Sequence, residues 1–435
     1  MSFSRGIASV AVILLTVASF HKSTKWQTTY IESRKTTHTE SLHSGTYIPL
    51  RDKQRVQELK RHLHEVANTL KEVRIRYYMY DDPNITLTGN TNVARTLRKR
   101  SPKLSVFKYE EKNDKQMIRA LTNSSLRTFN ASEAELFVPP IPMTSIFMAT
   151  KSDFHTPMRA LLEHTIFKRH QGNNHLLIST CFALHRYYNK GLTAMKRYYK
   201  RIFNMTIVQS WDPVGVHNDN NTNWGDYQGL RKQESLSRRS VSVGLGSGNH
   251  DIPLTLASLE RFHSSTNFIF YHSRQQPYFN NATMFRHAPI TNITLENFPK
   301  SSIGWDISAG EWLSEFNSSQ FCLNIRGDSP HSKSLWRTMR VGCIPVIVSK
   351  HLPVYAPMFK STLNMSEYAV ILDEEEMLTN TTETLLKLRE MTTEEIELKI
   401  MHLAFAQRVI FTDHPQSLFV PALLKEAVMA EEAIK

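Results

Sequence analysis

Six residues near the end of the chain carry the densest chemistry in it: Arg326, Gly327, Asp328, Ser329, Ser332 and Lys333. Together they offer a guanidinium, an ammonium and two hydroxyls around a tight turn, a set suited to holding an anion. Gly327, Asp328, Ser329 and Pro330 are turn formers, each for its own backbone reason. The flanking elements give the turn its direction. Phe321 to Ile325 is short and apolar, as a strand should be. Ser332 can cap a helix running to about Val341, and Gly342 suits the left-handed residue that ends one. Cys343 to Val348 is a nearly unbroken apolar run, as expected of a strand covered on both faces. A strand, turn and helix in this order aim free backbone N–H groups and the positive helix end at whatever lies over the turn. A nucleotide diphosphate is the natural occupant. Arg326-Gly327-Asp328 also spells an integrin-recognition tripeptide, but adhesion needs a protruding loop, and this one is wedged between strand and helix.

The same residues resemble the exostosin-like glycosyltransferases, glycosyltransferase family 47. Members of that family carry a phenylalanine-cysteine strand, an Arg-Gly-Asp-Ser-Pro turn, a helix and a Gly-Cys-Ile-Pro-Val strand. Phe321-Cys322, Arg326 to Pro330 and Gly342 to Val346 repeat that order and spacing. Weaker similarities extend upstream through Ile75 to Tyr80, Glu133 to Pro139, Asp251-Ile252-Pro253 and Phe268 to Arg274. Coverage is roughly residues 74 to 410. The resemblance implies an α/β fold of two Rossmann-like domains facing a cleft (GT-B type), preceded by a signal anchor and stem. It also implies transfer of a hexose or pentose with inversion from a UDP-sugar, and type II Golgi membrane enzymes. The donor-binding residues would then be Arg274, Arg326, Gly327, Asp328, Ser329, Ser332 and Lys333. This sequence departs from the family in three places. His272-Ser273 replaces the glycine before the arginine, Asn324 replaces a second strand cysteine, and Ala356 to Lys360 replaces a segment that usually ends in glutamate. The last change leaves open a second reading, a catalytically silent glycan-binding relative acting as a partner subunit.

Glycosyl transfer requires stabilisation of the departing diphosphate and deprotonation of the acceptor hydroxyl. No two aspartates stand two residues apart, so no Asp-X-Asp metal tripeptide is present. Cations and a helix N-terminus would take that role, with no metal and no cofactor beyond the nucleotide sugar itself. The base should come from the first domain, near a strand end. Asp153 and His155 are the candidates, with Asp81 and Asp82 behind them, although Asp82-Pro83 also reads as a turn starter. His-Glu-X-X-His, Cys-X-X-Cys and Gly-X-Ser-X-Gly are all absent.

The remaining features concern compartment and organisation. Residues 6 to 20 are an uncharged apolar run, shorter than the ~20 residues of an ordinary spanning helix, and fit a signal anchor or a cleaved signal peptide. The anchor gives a single-pass type II protein with a lumenal catalytic region; cleavage gives a lumenal or secreted one. Asn-X-Ser/Thr tripeptides at Asn84, Asn123, Asn130, Asn204, Asn220, Asn281, Asn292, Asn317, Asn364 and Asn380 suit that route as glycosylation candidates. Three cysteines, Cys181, Cys322 and Cys343, do not make a disulfide scaffold. Buried thiols fit them, and so does a Cys322–Cys343 bridge. The net charge is +13, and residues 21 to 119 hold 21 Lys and Arg against 11 acids, a stretch suited to an anionic membrane or an acidic glycan. No base-stacking aromatic pattern accompanies it, so nucleic acid is not an expected partner. The expected partners are a nucleotide sugar, a glycan or glycoprotein acceptor, the membrane through the anchor, and related transferases in a homo- or hetero-oligomer.

At 435 residues the chain suits two domains. The boundaries read as 1–20 anchor or signal peptide, 21–73 stem and amphipathic helix, 74–250 acceptor domain, 251–410 nucleotide-sugar domain and 411–435 C-terminal helix. Val56, Leu59, Leu63, Val66, Leu70 and Val73 recur at threes and fours, marking one helix face. Strands are expected at 75–80, 136–140, 176–181, 206–209, 267–271, 321–325, 343–348 and 369–372, with helices at 161–168 and 193–203 and a loop over 212–250. Thr392 with Glu395 forms a capping box before a helix to about Phe411, and a last helix spans 419–434. The apolar run lacks a strong cleavage site, so residues 1 to 20 should remain on the mature protein. N-terminal sequencing that starts near Ser19 or Phe20 would show otherwise.

Overall fold

The structure, a computed structural model, describes residues 50–86, 108–141, 143, 151–180, 201–212, 216, 239–243, 252–273, 297–298, 300–305, 307–326, 330 and 333–433. Residues 51–435 form one compact unit. The apolar run at 6–20 and the stem lie outside the described residues, and no described helix is long and apolar enough to cross a membrane.

The chain opens with α1 (Leu50–Lys71), whose Val56, Ala67 and Leu70 are buried while the intervening charged residues face solvent. The three-and-four spacing thus becomes a helix packed on the body. β1 (Tyr77–Met79), α2 (Lys108–Thr122), β2 (Arg127–Thr128) and β3 (Leu136–Val138) follow. Next come α3 (Lys151–Glu163), α4 (Thr165–His170), β4 (Leu176–Ile178), β5 (Thr206–Gln209) and β6 (Arg239–Ser242). These strands form two three-stranded parallel sheets, ordered β2-β1-β3 and β4-β5-β6, which meet at a parallel bridge between Phe137 and His175.

The second half of the fold is built on one five-stranded parallel sheet, ordered β11-β10-β9-β7-β8. It contains β7 (Asn267–Ser273), β8 (Ser302–Trp305), α5 (Ala309–Asn317), β9 (Ser319–Ile325), α6 (Lys333–Arg340), β10 (Ile344–Val348) and β11 (Val370–Leu372). After β11 come α7 (Glu374–Thr379), a short helix over Thr381–Leu386, α8 (Thr393–Ile410) and α9 (Phe419–Glu432). Alternating strands and helices with parallel pairing make the fold mixed α/β. The capping box at Thr392 and Glu395 is present in full.

β9 and β10 pair in register from Phe321–Ile344 to Ile325–Val348, and every residue of β10 is buried. Asn324, at the position of the family's strand cysteine, is buried but satisfied: its Nδ2 donates to Cys322 O at 2.7 Å and its Oδ1 accepts from Thr338 at 3.2 Å. Gly342 has φ +68, and a Cβ there would lie 3.0 Å from Thr255 O and 3.1 Å from Ala257. Only glycine accepts both that conformation and that approach.

Three expectations change. Cys322 and Cys343 are joined in a disulfide, with Cα atoms 5.9 Å apart, rather than standing as buried thiols. Closing this loop of about twenty residues removes entropy from the unfolded chain worth about 3 kcal/mol. The expected loop over 212–250 contains β6, a strand no apolar pattern announces. Its Arg239 is buried because Glu431 of α9 sits 3.2 Å away, and its Ser240 because Asp212 accepts its hydroxyl at 2.5 Å. The expected helix at 161–168 is interrupted at His164, whose Nδ1 accepts from Ile166 N to start α4. Most of the expected helix at 193–203 and Cys181 lie outside the described residues.

His175 is fully buried beside β4, against the Phe137, Phe167 and Tyr80 rings. Its Nδ1 lies 2.8 Å from Asn173 O, which can only accept, so its Nε2 accepts from Tyr80 at 2.7 Å. Burial, the main cause, lowers its pKa from 6.5 to about 4. Since the unfolded chain binds this proton first, stability is complete above pH 6.5 and falls as pH drops toward 4, by on the order of 3 kcal/mol. Urea midpoints at pH 7 and pH 4.5 should show that loss, and His175→Gln should flatten it. An unchanged slope in the variant would place the acid sensitivity elsewhere.

Candidate active site

In parallel α/β sheets ligands gather at the carboxyl ends of the strands. Arg326 stands there, directly after β9, with its backbone N–H on Val348 O at 3.3 Å. Its Nε donates to Glu374 Oε2 at 2.8 Å, and both side chains are largely buried. Glu374 follows β11 and opens α7, whose first turn Asp373 caps by accepting from the Glu375 and Glu376 amides at 2.8 and 3.0 Å. Those amides are the chief reason the Asp373 pKa is lowered. Since β10 lies between β9 and β11, the Arg326–Glu374 pair reaches across the end of β10, where Ser349 is buried.

Gly327, Asp328, Ser329 and Ser332 lie outside the described residues, as does Arg274, which directly follows β7. Lys333 is the first residue of α6, but its side chain is not described. Asp153 and His155 fall in the first two turns of α3, and their side chains too lie outside the described set. Asp81 accepts from the Tyr78 hydroxyl at 3.2 Å, while Asp82 begins a helical turn by accepting from Asn84 N at 2.8 Å. Among the described residues no group of three or more His, Cys, Asp or Glu could hold a metal ion.

Two further acids sit at the carboxyl edge of β4-β5-β6. Asp114, on α2 and fully buried, accepts from the backbone N and Oγ1 of Thr180 at 2.9 and 2.7 Å, just past β4. Asp212, three residues past β5, is also buried. One oxygen accepts from Ser240 at 2.5 Å and the other from Lys360 Nζ at 2.9 Å. Asp212 thereby binds a residue that follows β10 of the other sheet. The same joint is tied by Asp212 N to Tyr355 O at 2.7 Å, Phe359 N to Ser242 O at 2.9 Å, and Trp211 stacked on Tyr355 at 5.3 Å. Phe359 holds φ +48, a left-handed conformation that costs an aromatic residue about 1 kcal/mol. Lys360 is exposed, so its ion pair contributes about 1 kcal/mol or less.

Sequence reasoning missed both acids. Asp114 stands among lysines in an amphipathic helix, and Asp212 opens a polar stretch that reads as loop. The available signal was the position of Asp212 just beyond an apolar strand.

The Arg326–Glu374 geometry yields a test with two readouts. Arg326→Ala leaves a buried carboxylate unpaired and should cost about 3 kcal/mol in chemical denaturation. Adding Glu374→Gln should restore most of that stability. If Arg326 also holds phosphate, UDP affinity should stay ten- to a hundredfold down in the double variant. Recovery of both would make the arginine a strut alone.

The Exostosin GT47 domain family matches residues 71–387, a span that takes in β1 through β11, the Arg326 turn and both acids. No curated protein matches the chain. With nearly three-quarters of its length inside that match, and parallel sheets consistent with a GT-B fold, the chain belongs to the exostosin GT47 family of glycosyltransferases.

Proposed function

We propose that the protein transfers a sugar from a uridine diphosphate sugar to a glycan or glycoprotein acceptor, with inversion and without a metal ion. The observation that carries this reading is Arg326 at the carboxyl end of β9, inside a strand–turn–helix–strand unit of a glycosyltransferase family. A guanidinium and the start of α6 would offset the charge that grows on the departing diphosphate. The two sheet systems would be the Rossmann-like halves of a GT-B enzyme, with the donor on the second and the acceptor on the first. Arg274, at the end of β7, would face the same diphosphate as Arg326.

The secretory route is supported by the disulfide, which persists in oxidising compartments, by the ten glycosylation tripeptides and by the apolar run after Arg5. A type II anchor in the Golgi membrane with the folded region in the lumen accommodates all three. One observation favours the silent-subunit reading: the Ala356 to Lys360 segment lacks the acid usual in the family, and its Lys360 pairs with Asp212.

Calorimetry of the folded region with UDP in excess chelator should show binding. Binding seen only after manganese or magnesium is added would sink the metal-free reading. A screen of uridine and guanosine diphosphate sugars for nucleotide release should then identify the donor. Binding without release from any of them would favour the silent relative.

A further inference from the structure

Of the charged clusters outside the Arg326 turn, Asp212 differs from the rest in what it joins. The Arg239–Glu431 and Arg340–Asp413 pairs fasten helices to strands and loops. Asp114 spends its Oδ1 on both Thr180 donors and has no surface of its own. Asp212 instead sits at the carboxyl edge of the first strands while touching the segment that follows β10 of the second sheet. An acceptor-activating base needs that position, because acceptor and donor must meet between the two edges.

We propose that Asp212 is the general base of the sugar transfer, an inference that rests on the glycosyl-transfer reading above. Its local geometry fits the role. Ser240 donates to one carboxylate oxygen and fixes the plane of the group. The other oxygen faces Lys360 Nζ at 2.9 Å. The carboxylate is 2 % exposed and the lysine 56 %, so solvent reaches the ammonium that pairs with that oxygen. The backbone beneath is held rigidly by Asp212 N on Tyr355 O and by the left-handed Phe359 on Ser242 O. Strained, over-determined backbone of this kind gathers at functional sites.

The step balances without any added reactant. The acceptor hydroxyl replaces the lysine at Oδ2 and gives up its proton to it. Its oxygen bonds to the anomeric carbon of the donor as the bond from that carbon to the diphosphate breaks. The electron pair leaves with the diphosphate, opposite Arg326. With no acceptor present, water takes the same place and UDP is released by hydrolysis.

The test uses the full folded region, an equimolar mixture of UDP-sugars with water as acceptor, and UDP itself for binding. Asp212→Asn should bind UDP within about twofold of wild type while UDP release falls a hundredfold or more, the usual span for loss of a general base. Lys360→Met breaks the same ion pair but keeps the carboxylate, and should retain release within about tenfold. If Lys360→Met is as damaging as Asp212→Asn, or if Asp212→Asn releases UDP normally, the aspartate is only a tie between sheets. Wild-type protein that binds UDP yet releases none is the silent relative and has no base. A wild type that binds no UDP overturns the glycosyl-transfer reading itself. Should Asp212→Asn fail to fold, Asp212→Glu, which keeps the negative charge beside Lys360 but displaces the carboxylate by one methylene, should bind UDP as wild type does and release it about tenfold or more slowly; release at the wild-type rate would overturn the base.

Discussion

A charge buried between the last helix and the first sheets sets the terms for much of the molecule. Arg239 of β6 and Glu431 of α9 are each about 95 % shielded from solvent. Glu431 also accepts from Thr206 on β5 at 3.0 Å and from Asn174 N at 3.3 Å, while Arg239 donates to Asn204 O at 2.5 Å. An ion in that position is tolerable only with its partner and its hydrogen bonds in place. The pair therefore dictates that the chain's end return to strands formed near its middle. It also dictates that an otherwise polar tetrapeptide become a strand. Through that strand, Ser240 reaches Asp212 and Ser242 O reaches Phe359, so the carboxyl edge inherits its order from a contact at the opposite end.

The two carboxyl edges share an electrostatic design. Each presents an acid paired with a base: Glu374 with Arg326 on one, Asp212 with Lys360 on the other. The first pair is nearly buried and rigid, the second half exposed. On the proposed reading, an incoming anion would meet a guanidinium already aimed by its carboxylate, which limits the entropy lost on binding. An incoming hydroxyl would meet a carboxylate paired with a solvent-exposed cation. The asymmetry would then suit one anionic substrate held tightly and one exchanged more freely.

What the residues disclosed on inspection was local. The β9–turn–α6–β10 unit, the left-handed Gly342 and the Thr392–Glu395 cap are all settled within a few tens of residues, where apolar runs and turn chemistry suffice. What stayed hidden depends on partners far along the chain. Ser240 and Asp212 are 28 residues apart, Asp114 and Thr180 are 66, and Asp212 and Lys360 are 148. A buried serine or arginine looks like a surface residue until its partner is known, so β6 and Asp114 were illegible, and Asp212 showed only its place beyond an apolar strand. The cysteines fall between these cases. Their spacing suits adjacent strands, but packing as thiols and joining as a bridge draw on the same apolar pattern.

The return of α9 also sets an order of assembly. Thr206 waits for a partner 225 residues further on, which at ~5–20 residues per second is roughly ten to forty-five seconds of synthesis. Cys322 and Cys343 are only 21 residues apart and can meet as soon as both have left the ribosome. The second sheet can thus close on itself while the first still holds an unmatched arginine. A chain truncated a few residues short would carry a finished carboxy-terminal sheet beside an amino-terminal one left open. The last turn of the last helix acts as the keystone, arriving after the arch it locks.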